Sequence, residues 1–296
     1  MNYEDYKKKV LEMVTAAVPE DASVRLQTLP KNNGLLLDAI IINEKDVAIT
    51  PTIYINHYYD DAEDQENIDF KSILDEILHL YHQNKNGLHL DLNIFHDFEK
   101  MSEHIVYRLI NYDKNRELLK DIPHIPYLDL AIVFVCLFPE TEAGHGSILI
   151  HNCHLDHWQV STSDLMRIAQ KNTPKLLPYD LRNMGDWLNE LLPEECREEE
   201  ISEMPLYVLT NAIKLHGACC ILYKELLRQV AEKFSSDIVI LPSSIHEVLL
   251  LPAYYDNTTE ELNALVQQVN NDEVKDEDIL SDHVYYYDRR ANTVSF

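Results

Sequence analysis

Residues 206–252, LYVLTNAIKLHGACCILYKELLRQVAEKFSSDIVILPSSIHEVLLLP, read as strand, helix, strand, turn, strand. A helix from Ala218 to Phe234 would place Cys219, Leu222, Tyr223, Leu226, Leu227, Val230 and Phe234 on one apolar stripe. Ile238 to Leu241 and Val248 to Leu251 are short apolar runs, as expected of strands covered on at least one face. Pro242-Ser243-Ser244 marks the join between them. The unit specifies an α/β core, yet it holds no complete catalytic signature.

Upstream, Tyr3, Tyr6, Val10, Val14 and Ala17 fall at helical spacing, and Pro19 stops that helix. SVRLQTL and LLLDAIII flank the turn Pro30-Lys-Asn-Asn-Gly34 and predict a β-hairpin, with a third strand at Thr52 to Ile55. Asp60 to Asp69 reads as an acidic loop leading into a helix that carries Ile73, Leu74, Ile77, Leu78 and Tyr81. The stretch LHLDLNIFHDF fits strand or helix. HIVYRLIN predicts a strand over Glu103 to Asn111. A short helix is expected at Lys114 to Lys120, before Pro123 and Pro126, followed by a buried strand at Leu128 to Phe138 and a partner at Ser147 to His151. Ser161-x-x-Asp164 has the form of a capping box, and Pro174 is expected to end the helix behind it near Asn172. Residues 174–204 read as a flexible or inserted connection containing a helix at Met184 to Leu192. Thr258-x-x-Glu261 caps a helix bearing Leu262, Leu265, Val266 and Val269, and DHVYYYDRR reads as a last strand.

The expected fold is therefore α+β: a mixed β-sheet with helices mainly on one face. Residues 1–100 form an N-terminal helix and β-hairpin region, 101–256 the main domain, and 257–296 a C-terminal helix and strand packing on the body.

Composition narrows the function classes. The 46% apolar content supports a real core. Fifty-one acids against 25 bases give a net charge of −26, which would repel a phosphate backbone and an anionic membrane face alike. Nucleic acid and membrane are thus disfavoured, and a basic protein partner is compatible. With 6 glycines, the chain shows no glycine-rich phosphate loop, and no cofactor is expected. The start is charged and amphipathic, and the longest apolar run, Leu130 to Phe138, falls far short of the ~20 residues of a membrane span. Five cysteines without a C-x-x-C pair suggest reduced thiols, hence a cytoplasmic protein.

Several clusters carry chemical potential. His151, His154 and His157 recur at three-residue steps, and a hairpin would bring His145 to the same place; imidazoles so spaced on one helix face can share a metal. The spacing crosses a strand-to-helix change, so the histidines also read as packed or solvated. His79 and His82 lack the glutamate of the zinc-protease motif. Ser244, His246 and Glu247, with Ser243, put hydroxyl, imidazole and carboxylate in one turn and permit a hydrolase reading, although no nucleophile elbow or oxyanion hole accompanies them. The same groups can satisfy backbone amides of the turn. A nuclease-type set would use Asp129 with Glu140 and Glu142, but the required lysine is missing. Tyr285, Tyr286 and Tyr287 suit a packed strand.

The segments Asn32-Asn-Gly34 through TPTIYIN, RLINYDKNRELLKDIP with LDLAIVF, NTPKLLP, YVLTN, GACCILY, ILPSSIHEVLLLP and LSDHVYYYDR resemble, in order and over nearly the whole chain, an uncharacterised family from anaerobic gut bacteria. That resemblance implies a shared fold and brings no activity. Within it, His154 falls at a position where histidine recurs, whereas His151 and His157 are particular to this chain. A cytoplasmic, non-catalytic protein that binds a protein or small ligand is the leading expectation. A hydrolase using Ser244, His246 and Glu247, or a metal held by His151, His154 and His157, is its rival.

Overall fold

The computed structural model describes residues 1–44, 52–60, 68–85, 97–141, 144–191, 205–242, 244–253 and 258–296. The fold class is α+β, as expected. Two compact units divide the chain: residues 1–31, 35–98 and 138–147 in one, and 32–34, 99–137 and 148–296 in the other.

In the first unit, helix α1 (Tyr3–Ala17) is capped by Asn2, whose side chain accepts the Asp5 N–H. Strands β1 (Ser23–Pro30) and β2 (Leu36–Asn43) form the predicted hairpin, antiparallel from Ser23↔Asn43 to Pro30↔Leu36, and β3 (Thr52–Tyr54) adds to β2. The short helix α2 (Asn56–Asp60) follows, and then α3 (Phe70–Lys85). Tyr6, Val10 and Val14 of α1 pack with Ile40, Ile42 and Ile53 of the sheet and Ile73, Ile77 and Tyr81 of α3. That set repeats the apolar periodicity of the sequence. The acidic loop at residues 61–67 and most of LHLDLNIFHDF lie outside the described residues.

The second unit opens, after α4 (Phe98–Ser102), with β4 (Ile105–Asn111), α5 (Leu118–Asp121), β5 (His124–Tyr127) and β6 (Leu130–Thr141), followed by β7 (Gly144–Leu149); the end of β6 and the start of β7, residues 138–147, are counted with the first unit. Its first sheet has the order β4-β6-β5, with β7 also on β6. Strand β5 was not anticipated, because Pro123 and Pro126 read as breakers. It lies at a sheet edge, where a residue without an N–H costs no ladder bond.

Helices α6 (Asn152–Trp158) and α7 (Thr162–Leu176) follow. Helix α7 runs through Pro174 instead of ending at Asn172. Its last turn is tied down from outside: the Tyr107 N–H donates to Thr173 Oγ1 at 3.1 Å, and Asn172 Nδ2 donates to the Ser102 and Ile105 carbonyls. These bonds outweigh the local preference of the proline.

The remaining strands, β8 (Tyr179–Asn183), β9 (Tyr207–Asn211), β10 (Ile238–Leu241), β11 (Val248–Pro252), β12 (Tyr285–Asp288) and β13 (Thr293–Ser295), form a six-stranded sheet in the order β13-β12-β10-β11-β9-β8. Part of the stretch read as a flexible connection is thus the edge strand β8, and it continues into α8 (Met184–Leu191). Each strand pair of described register is antiparallel, so the expected mixed sheet resolves into antiparallel ones, in keeping with the short hairpin links at β5–β6, β10–β11 and β12–β13. A C-terminal helix, α10 (Thr259–Asp272), packs Leu262 and Val266 against Val239, Leu241 and Val284.

The helix expected over Ala218 to Phe234 is broken. Gly217–Leu222 forms a 3-10 turn, Glu225 takes a left-handed conformation (φ 64°), and only Leu226–Phe234 is α-helix (α9). The cause is tertiary. The Ala218 N–H donates to the Ile245 carbonyl at 3.2 Å, and the Tyr223 hydroxyl to the Leu177 carbonyl at 2.6 Å. The apolar stripe is still buried, at Cys219, Tyr223, Leu226, Leu227 and Val230, but by a kinked segment.

Candidate functional site

Strand β4 alternates faces, so Val106, Arg108 and Ile110 share one. Val106 and Ile110 are buried in apolar clusters, and a guanidinium stands between them. Among the described residues no carboxylate lies within ion-pair distance of Arg108, and its Nε is buried without a partner. Burial alone pushes the Arg108 pKa down to about 10. Among the described residues its one side-chain hydrogen bond runs from Nη1 to Nε2 of His216 at 3.3 Å.

His216 sits in the loop after β9, and Asn211 builds that loop. The Asn211 Oδ1 accepts from the Ile213 and Leu215 amides, and its Nδ2 donates to the Leu215 carbonyl. The path forces left-handed φ angles on Lys214 (55°) and His216 (54°), a conformation that costs most non-glycine residues energy and clusters at functional sites. Gly217 follows because nothing larger fits: a Cβ there would meet Thr210 Oγ1, the His246 carbonyl at 2.6 Å and the Asn211 amide at 2.7 Å.

This close approach sets the loop against the turn before β11. The His216 N–H donates to Nδ1 of His246 at 3.2 Å, and the two rings stack with centroids 5.4 Å apart. Because Nδ1 accepts, the ring proton of neutral His246 is on Nε2, which donates to Asp278 Oδ1 at 3.1 Å. Asp278 is held in turn. Asn32 and Asn33 donate to the Glu277, Asp276 and Ile279 carbonyls, and the Ile245 N–H to the Asp278 carbonyl. The result is an ordered row, Arg108–His216–His246–Asp278, in which His246 and Asp278 are about a quarter exposed (28% and 26%).

Burial, then the Arg108 charge, then His246 push the His216 pKa down to about 3, so that ring is neutral at physiological pH. With Nε2 accepting from Arg108, its proton sits on Nδ1, a second buried donor without a partner. Unmet buried donors cost about 1–3 kcal/mol each, and the row contains two.

Of the residues singled out in the sequence, only His246 belongs to this row. Ser244 is buried, and its Oγ accepts the His246 backbone N–H at 3.0 Å; it does not bond the ring. Glu247 contributes its carbonyl to the Ser244 N–H at 3.4 Å. Ser243 lies outside the described residues, as do Glu142 and the side chains of His145 and Glu140. Asp129 takes the Tyr285 and Ser281 hydroxyls on its two oxygens. His151 is the N-cap of α6, and its N–H donates to His154 Nδ1 at 3.0 Å, which takes that one nitrogen of the ring out of metal binding. The two rings meet edge-on, and His154 also lies against Trp158. Among the described residues no group of three or more His, Cys, Asp or Glu side chains is placed to hold a metal ion.

A family profile matches residues 3–289 and so takes in every member of the row. The chain belongs to the family of unknown function DUF5688. No curated protein and no solved structure gives a match. Membership in DUF5688 therefore brings a common fold and no assigned activity. Among the described residues no helix is long and apolar enough to cross a membrane.

Sequence reading missed Arg108, His216 and Asp278. A signal was present for the first two: a lone arginine inside the apolar run HIVYRLIN, and a His-Gly pair directly before a buried turn. Asp278 is one acid in an acidic linker and carries no local mark.

Proposed function

We propose that this protein is a cytoplasmic bacterial binding protein whose ligand presents a carboxylate or phosphate to Arg108. One observation carries the reading: in a chain with 51 acids and 25 bases, a desolvated guanidinium has no carboxylate partner among the described residues. A buried cation is normally paired, and an anion arriving from outside would supply the missing charge and acceptors. Neutral His216 holds Nη1 in place without neutralising it, which leaves the positive charge for the ligand. The arrangement favours binding over catalysis, because both ring nitrogens of His246 and the Ser244 hydroxyl are already engaged.

The test is thermal melting at constant ionic strength with phosphate or citrate replacing chloride. A ligand binding only the folded state stabilises by about 2.7 kcal/mol at a hundred times its Kd. Wild type should melt higher in at least one of the two anions, and Arg108→Gln should not respond. Equal melting of wild type in all three anions, or an unchanged response in Arg108→Gln, refutes the reading.

A further inference from the structure

We infer that the groove at the outer edge of the six-stranded sheet is a second site, for a small ligand that joins a flat ring to an anionic group. It lies at the opposite end of β9 from His216: Tyr207 opens that strand and Asn211 closes it, about 13 Å apart at strand rise. The groove encloses about 470 Å³, within the range of small-molecule sites. Edge strand β8 supplies Arg182 and Asn183, α8 supplies Asp186 and Trp187, and α9 supplies Lys233.

Three features select the ligand. Trp187 is 38% exposed, an unusual placement for an indole, and gives a face for stacking. Tyr207 is fixed by Phe234 at 4.9 Å, and the Lys233 ammonium rides over its ring at 4.6 Å. Among the described residues Lys233 has no carboxylate partner, so in this strongly acidic chain it is a cation set at a groove wall. The Asp186 carboxylate lines the same groove and can accept from ligand hydroxyls. A nucleoside monophosphate meets all three requirements: base on Trp187, phosphate at Lys233, sugar hydroxyls toward Asp186.

Tryptophan emission reports on the site, because the only other tryptophan, Trp158, is buried. AMP should change the emission saturably. Adenosine, which lacks the anion, and ribose 5-phosphate, which lacks the ring, should each bind about tenfold more weakly, a difference near 1.4 kcal/mol. Lys233→Gln should weaken AMP by a similar factor and leave adenosine unchanged. Trp187→Phe should abolish the signal while calorimetry still detects AMP. Arg108→Gln should leave all of this intact, so failure here is distinct from failure at the Arg108 site. Absence of saturable AMP binding, or AMP bound no better than adenosine, overturns the inference.

Discussion

The backbone N–H of His216 donates to Nδ1 of His246, and this one bond decides which nitrogen of the His246 ring carries its proton. With Nδ1 occupied, Nε2–H faces Asp278, and the ring becomes a strut between two loops. His246→Ala removes the strut and leaves the Asp278 carboxylate and the His216 amide unpaired. It should destabilise the protein by about 2 kcal/mol. Ser244→Ala, which loses the acceptor for the His246 N–H, should cost about 1 kcal/mol. Urea denaturation reads both, and a midpoint unchanged by either substitution would contradict the strut.

Gly217 is required by contact. Its φ is ordinary, but a methyl group there would press on the His246 carbonyl and the Asn211 amide, and backbone cannot swing aside as a side chain can. Gly217→Ala should cost about 3 kcal/mol, at the upper end of overpacking effects. Full wild-type stability in that variant would mean that the two loops are less tightly apposed.

The pH response follows from His216. Its folded pKa, near 3, lies below the ordinary value of 6.5, so the unfolded chain takes up the proton first. Stability from this group is complete above about pH 6.5 and is lost as pH falls through the window toward 3. His154, lowered by burial and by His151 and His157, acts in the same direction. Asp38, Asp164 and Asp288 are also lowered, and their losses come below about pH 4. Between pH 6.5 and 5 the histidines dominate. Wild type should lose melting temperature over that interval, and His216→Gln should lose less. Equal slopes would place the His216 ring in contact with solvent.

Thr173 ties α7 to β4 through one hydroxyl, which accepts the Tyr107 N–H and donates to the Ala169 carbonyl. Thr173→Val keeps the shape and removes both bonds, leaving a buried amide unmet. The expected loss is about 1–3 kcal/mol. Amide hydrogen exchange should also speed up at Tyr107 and in the last turn of α7, and unchanged exchange at Tyr107 would break this account.

Periodicity alone determined much of this protein. The stripe Tyr6, Val10, Val14 defines α1, the alternation around Asn32-Asn-Gly34 defines the hairpin, and the capping pairs Ser161/Asp164 and Thr258/Glu261 begin α7 and α10 at the predicted residues. These signals are legible because they involve residues a few positions apart, whose geometry the backbone dictates. Tertiary structure alone decided the rest. It broke the helix after Gly217, carried α7 past Pro174, and made edge strands of His124–Tyr127 and Tyr179–Asn183. It also assembled Arg108, His216, His246 and Asp278 from segments as far as 170 positions apart, as the bond from Asn111 to the Leu280 carbonyl spans 169. Each outcome depends on a hydrogen bond or a close contact with a distant segment, and no local pattern encodes which distant partner will arrive.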